Sequence, residues 1–522
     1  MNRRKFLALA AAVPLTAVGA YAIMRTPVRG TSLRTTDFSS PLFIPGDGGP
    51  FGVLTPQGDL ALVAERGTFP LAGGKTTPFL WYRTQHQGKT YQNPIFNVRT
   101  GTRLSVTLDN ALDEGTILHW HGLHLPGEMD GNPRDTIGPG AQYRYDFTVN
   151  NRSGTYWYHT HAHGHTAKQA YLGLASFFIV EDDDEVALRE ALDLQLGVTD
   201  LPVVIQDKRL NQAGEFIYSP NPMEKMMGYL GDTVLANLTP TPFTEIGARI
   251  YRFRLLNGST ARIYKIAFAK GERLLPYHVI GNDGGLLDKP YSASEVFLAP
   301  GERLDILLDA STLSKGDEVY LRSLAFDSLE GGGMMGGMMG VMGSASLANG
   351  DAFNIMKLAV TQPSGAAQSL PARLSQVTPI KTAGAAVRTI NLEMAQMRWL
   401  INGNTYQMDA FPIEVKRNTV EIWEIHNAEH SMPHPMHIHG FQFQVQSRQN
   451  SPAQLRALAS HGNGRTVSDL GWKDTVLVWP GETVRIAIDF SHDFGGDQTY
   501  VFHCHNLEHE DGGMMVNFRV RA

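Results

Sequence analysis

A single cysteine, Cys504, stands among 522 residues, so no disulfide can form within the chain. Basic residues are not in excess either. A net charge of −6 and a pI near 6.3 exclude the broad positive face that nucleic acid requires, leaving small-molecule or ion chemistry. Long apolar runs are missing as well. The N-terminal one is shorter than the roughly 20 residues a spanning helix needs and is broken by Pro14, which argues against a stable membrane anchor. No long amphipathic helical run stands out. With 53 glycines and 28 prolines available for tight turns, many short strands and an all-β fold are expected.

The first 22 residues instead have the form of an export signal. Arg3 and Arg4 precede Phe6 and Leu7, and small residues follow the apolar stretch as far as Ala22. This reads as a twin-arginine signal peptide over residues 1–22, placing the mature chain in the periplasm or otherwise outside the cytoplasm.

A pattern recurs three times. Pro139-Gly140, Pro300-Gly301 and Pro480-Gly481 each open a run of alternating apolar residues, the signature of a strand with one buried face. Each has an upstream companion run, ending at Asn110, Asn257 and Asn427. Two strand signals recurring at domain-sized spacing predict three β-sandwich domains of one kind, over residues 56–185, 186–362 and 389–522, with a linker at 363–388.

The chain has 19 histidines, and ten of them fall into four short clusters near its two ends. These are His119 and His121; His159 and His161; His434, His437 and His439; and His503, His505 and His509. Residues two apart in a strand share a face, so each H-x-H pair can aim both rings at one site. Cys504 lies between His503 and His505 and must face the opposite way, so one strand serves two sites. His434, Cys504 and His509, with Met514 as a soft axial ligand, make the ligand set of a blue copper centre; the adjacent Met515 competes with Met514. The other eight imidazoles suffice for three metal ions. His124, His163 and His165 read as supporting or surface residues.

The segments HWHG at 119, HTH at 159, HPMHIHG at 434 and HCHNLEHEDGGMM at 503 resemble the four copper-binding signatures of multicopper oxidases, in order. That resemblance implies three consecutive cupredoxin-like Greek-key β-sandwich domains and four copper ions. Type 1 copper would be held by His434, Cys504, His509 and Met514; type 2 by His119 and His437; and the type 3 pair by His121, His159, His161, His439, His503 and His505. It implies electron transfer from Cys504 through His503 and His505 to a cluster that reduces O2 to water. Asp130 in PGEMDG and Glu510 in LEHED match acidic positions used for proton delivery. The expected working unit is a monomer that uses O2 and a small reductant.

The reductant is read from another stretch. Residues 331–343, GGGMMGGMMGVMG, carry Met334, Met335, Met338, Met339 and Met342 among glycines, and thioethers are soft ligands that select cuprous copper. The segment resembles the methionine-rich insertions of bacterial copper-efflux oxidases, which implies a Cu(I) substrate and a role in copper tolerance; Fe(II) is a further possible reductant. Met432 occupies a substrate-methionine position of those oxidases, but their nearby aspartate is His430 here, beside Glu429. Two alternatives stand: a laccase-like oxidase of phenols and aromatic amines, which calls for an open apolar pocket beside His509, and a copper-sequestering protein without turnover.

Overall fold

A computed structural model describes residues 37–71, 74–330, 346–364 and 368–522. The signal reading at 1–22 and the methionine segment at 331–343 lie outside the described residues. The fold is all-β, and the described residues form six sheets that fall into three pairs along the sequence. Each pair encloses its own apolar core, one around Trp120 and Phe178, one around Phe253 and Ile306, and one around Trp423 and Phe518.

The three predicted repeats are built alike. Arg103–Asn110 pairs antiparallel with Gln142–Thr148, Ile250–Asn257 with Arg303–Asp309, and Val420–Asn427 with Thr483–Asp489. At the corner of each pair the same asparagine does the same work. Asn110 Nδ2 donates to the carbonyls of Glu114 and Ile137, Asn257 Nδ2 to those of Arg262 and Leu298, and Asn427 Nδ2 to those of Met432 and Val478, all at 2.8–3.0 Å. The glycine of the Pro-Gly turn donates its backbone N–H back to the asparagine carbonyl in every copy. A buried amide that bridges two carbonyls fixes where the chain goes next. In the first and third copies it goes directly into the histidine runs.

Strand structure also begins upstream of residue 56. Gly49–Pro50 and Val53–Leu54 join the two sheets of the first domain, while Ser40–Pro41 pairs in parallel with Pro242–Ala248 of the middle domain. The segment from 40 to 54 therefore straddles two domains. The helix Asp183–Leu192 crosses the drawn boundary at 185 and drives one carboxylate into the junction. Glu185, fully buried, accepts from Arg252 Nη1 and Arg254 Nη2 at 2.6 Å each, and Asp200 and Asp305 balance the remaining charge.

Burial by itself favours the neutral acid, but the two guanidiniums outweigh it and hold Glu185 below the usual carboxylate range. A carboxyl with a lowered folded pKa stabilises above its unfolded value and loses that contribution as the pH falls through the folded value. Glu185→Ala should lower unfolding stability by about 3 kcal/mol at neutral pH, because removing one partner leaves buried charge uncompensated. In denaturant titrations the gap between wild type and variant should then narrow as the pH drops below about 4.5.

Candidate metal centre

Two ledges of histidine face each other across the junction of the first and third domains. In the first, His119 on Leu118–His119 lies directly opposite His159 on Gly154–Thr160; in the third, His437 on His434–Ile438 lies opposite His503 on Gln498–Cys504. Opposed residues in an antiparallel pair point to one face, and the i+2 positions His121, His161, His439 and His505 extend each ledge. His119 stacks on His439 and His121 on His437, both with ring centroids 3.7 Å apart. All eight rings are at most 1 % exposed.

Outer hydrogen bonds decide which ring nitrogen faces inward. A carbonyl can only accept, so His119 Nδ1 donates to Asp130 O at 2.7 Å, His159 Nδ1 to Thr160 O at 2.8 Å, His437 Nδ1 to Asp474 O at 2.9 Å and His503 Nδ1 to Cys504 O at 3.1 Å. Their Nε2 atoms are left as lone pairs. The Nε2 atoms converge: His119 and His437 Nε2 lie 3.4 Å apart, and His503 Nε2 lies 3.2 Å from His161 Nε2 and 3.0 Å from His439 Nε2. His121 is turned the other way, with Nε2 on Asp474 Oδ1 at 3.0 Å and Nδ1 without a protein partner. Facing lone pairs at about 3 Å repel in neutral rings and suit nitrogens that share a cation at about 2.0 Å. Burial, followed by the neighbouring rings, holds His119, His159, His439 and His503 well below the usual imidazole pKa, so protons are poor occupants of these gaps.

Two acids stand behind the rings. Asp130 is fully buried and its Oδ2 lies 2.6 Å from His439 Nδ1; Glu510 lies 3.3 Å from His503 Nδ1 and 3.6 Å from His161 Nδ1. Burial raises both well above the carboxylate range.

The thiolate site sits on the opposite face of Gln498–Cys504. Cys504 Sγ is 3.5 Å from His434 Nδ1 and 3.6 Å from His509 Nδ1, distances that suit three ligands of one ion. His509 Nε2 donates to Met226 O at 2.9 Å and His434 Nε2 meets Ser431 Oγ at 3.0 Å, which turns both Nδ1 atoms toward the sulfur. Met514 is fully buried in the same core cluster as Cys504. Met515 pairs with His503 in register and so faces away from the sulfur. Met432 lies in that cluster at 4 % exposure, its carbonyl held by Asn427, while His430 and Glu429 are exposed. His124 Nδ1 donates to the Gly440 carbonyl, a supporting contact.

Several residues at these sites are not anticipated from the sequence. Asp474 holds His121 through Oδ1 and His437 through its carbonyl, and it is clamped by Arg303 of the middle domain, whose Nη1 donates to Oδ1 at 2.8 Å and Nη2 to Oδ2. Arg303 Nε donates in turn to Thr155 O of the first domain at 3.0 Å. One carboxylate thus ties all three domains to the rings. Trp399 covers the thiolate site, with its ring 4.7 Å from His434 and 5.3 Å from His509 and Nε1 donating to Met226 O at 2.7 Å. The only local hint of Asp474 is a charged Lys473-Asp474 pair opening the apolar strand Thr475–Val478.

The multicopper oxidase family pattern matches residues 83–185 and 377–522. Multicopper oxidase mco of Staphylococcus haemolyticus is 32% identical over 432 residues, 82% of this chain and 81% of that protein. The chain belongs to the multicopper oxidase family. Among solved structures, McoA multicopper oxidase from the hyperthermophile Aquifex aeolicus is similar with 41% identity and a TM-score of 0.82, covering 92% of this oxidase and 99% of that chain. Cell division protein FtsP of Sodalis glossinidius is 31% identical over 433 residues, 83% of this chain and 84% of that protein. The all-β architecture of this multicopper oxidase is that of cupredoxin-like domains, and copper is its family's cofactor; the inward-facing nitrogens and the Cys504 sulfur fit that metal.

Asp474→Ala should weaken copper retention in the histidine cluster by 10–100-fold, the usual cost of removing a partner that orients a ligand. Cys504→Ser should lose the copper of the thiolate site and keep the rest. Copper per chain by elemental analysis, read together with an unfolding curve, separates ligand loss from misfolding.

Proposed function

We propose that this chain is an exported oxidase that removes single electrons from cuprous ion at the Cys504 site and reduces dioxygen to water at the eight-histidine site, in copper tolerance. Four copper ions in the type 1, type 2 and type 3 arrangement would supply the one-electron steps that let four electrons and four protons convert O2 into two waters. Cys504 joins the two sites covalently, since its backbone runs directly into His503 and His505. Asp130 behind His439, and Glu510 behind His503 and His161, would hold protons beside the cluster.

The observation that carries the cuprous reading over a phenol oxidase is the closure of the thiolate site. His509 is 1 % exposed, its outer nitrogen is taken by the Met226 carbonyl, and Trp399 packs against its ring. An aromatic reductant needs room to lie against that imidazole, whereas a metal ion needs only soft ligands near it. The described residues that follow the methionine segment in the chain lie on the same side. Arg262 holds the carbonyls of Leu347 and Ala348, and also that of Gly231, at 2.8 Å. Gly231 follows the helix Pro222–Met227, whose Met226 caps His509. A role without turnover gives no reason for ten histidines, a cysteine and their outer partners to converge on two buried sites.

Oxygen uptake by the copper-loaded protein, with a buffered cuprous complex or a simple phenol as reductant, tests this in the intact chain and in one lacking residues 331–343. Cuprous turnover should dominate and fall severalfold on deletion, with phenol turnover unchanged or raised. Dominant phenol turnover, with cuprous turnover indifferent to the deletion, would replace this reading with a laccase-like one. No oxygen uptake from fully loaded protein would leave sequestration.

A further inference from the structure

The sheet face that carries His159 continues into an apolar chamber. Trp157, two residues upstream on the same strand, shares that face, and the neighbouring strand Ala175–Glu181 sets Ala175 opposite His159 and Phe177 opposite Trp157. Across from them, Val204, Leu238 and Leu256 of the middle domain complete the walls of a cavity of about 30 Å³. Phe43 and Phe51, both half-buried, also line it.

The walls are poor hosts for water. Gln206 Nε2 is spent on Gly258 O at 3.0 Å, and Asn237 Nδ2 on Pro202 O at 2.9 Å. Ser176 alternates with Ala175 and Phe177 and so turns its hydroxyl to the other face of the strand, and the Trp157 indole N–H, without a protein partner, is a single donor where an ordered water takes two to four partners. An apolar cavity of this kind stays dry and takes up nonpolar gases. Its size is about twice the space one water needs, which suits a molecule of two heavy atoms.

One ring separates this chamber from the histidines. The Trp157 indole lies 4.2 Å from the His159 ring, stacked on it, and its centroid is 4.9 Å from that of His121 and 5.5 Å from that of His505. Its Nε1 has no hydrogen-bond partner, so packing alone holds the ring.

We propose that the cavity walled by Trp157, Ala175, Phe177, Val204, Leu238 and Leu256 is a dioxygen site that supplies the eight-histidine cluster past the edge of Trp157. The proposal rests on the oxidase reading above. It predicts two things: the cavity binds a nonpolar gas in the resting protein, and filling it weakens the use of oxygen without touching the reductant side.

The test uses copper-loaded holoenzyme. Crystals pressurised with xenon should show xenon in this cavity in the wild type and none in Ala175→Leu or Val204→Phe, which fill it from different domains. Oxygen-dependent turnover at saturating reductant should show a half-saturating oxygen concentration raised about fivefold in each variant, with unchanged maximal rate, as expected when only binding is lost. Copper content and the unfolding midpoint identify a variant that has failed to fold, and the other variant then decides. An empty cavity in xenon-treated wild type overturns the proposal, as does wild-type oxygen dependence in a folded variant with a filled cavity. Absence of oxygen uptake by the wild type, with xenon bound, would overturn the oxidase reading itself and the supply role with it.

Discussion

Eight imidazoles brought together from two domains, with ring nitrogens of five of them facing at 3.0–3.4 Å, are the constraint on which the rest of this molecule depends. The close approach of lone pairs in a buried space opposes folding unless something rigid imposes it and something positive relieves it. Rigidity comes from the strands: each ledge is two short runs in register, so its rings cannot separate without breaking backbone pairing. Relief comes from metal. Domains one and three each contribute four rings, so neither ledge forms a complete site alone, and the interface between them has to be held by something other than the cluster.

That holding falls to buried charge. Arg303, fixed by Thr155 O of the first domain, grips Asp474 of the third, and Asp474 orients one ring from each ledge. A second network of Arg252, Arg254, Glu185, Asp200 and Asp305 fastens the first domain to the middle one. Networks of this type contribute little net stability compared with apolar packing of the same volume, but they are costly to break in part. They suit a junction whose geometry matters more than its strength. At the thiolate site the same logic uses neutral groups: Met226 O and Ser431 Oγ occupy the outer nitrogens, so both rings present Nδ1 to Cys504.

Much of this was legible in the sequence because strand geometry is local. Period-two alternation after each Pro-Gly turn identified the three paired strands, and H-x-H spacing placed rings on common faces. The position of Cys504 between two histidines separated the two sites, and the pairing of Met515 with His503 leaves Met514 on the thiolate side, as the motif register indicates. The parts that stayed hidden depend on contacts between distant residues. Asp474 meets His121 across 353 positions and Arg303 across 171, and neither spacing leaves a pattern in the chain. The strands between 40 and 54 are two residues long and take their partners from two domains, too short for any periodicity to register. Trp399 and Met226 close the thiolate site from separate domains, so an open pocket beside His509 could be neither asserted nor excluded without the structure.

The middle domain explains why a copy without ligands is retained. Its asparagine corner is intact, and five residues after Asn257 the chain reaches Arg262, the position that Met432 occupies after Asn427. Where the third domain proceeds from that corner to metal ligands, the middle one presents a buried guanidinium. Arg262 pairs with Asp207 at 2.8 Å and holds the carbonyls of Gly231, Leu347 and Ala348. The same corner that aims imidazoles in domains one and three here fixes Leu347 and Ala348 beside Gly231, close in the chain to the helix that caps His509. The middle domain also supplies Arg303 to the cluster and one wall of the apolar chamber behind Trp157. The middle domain is therefore more than a spacer: it braces both histidine ledges through Arg303 and closes the Cys504 site through the Met226 carbonyl.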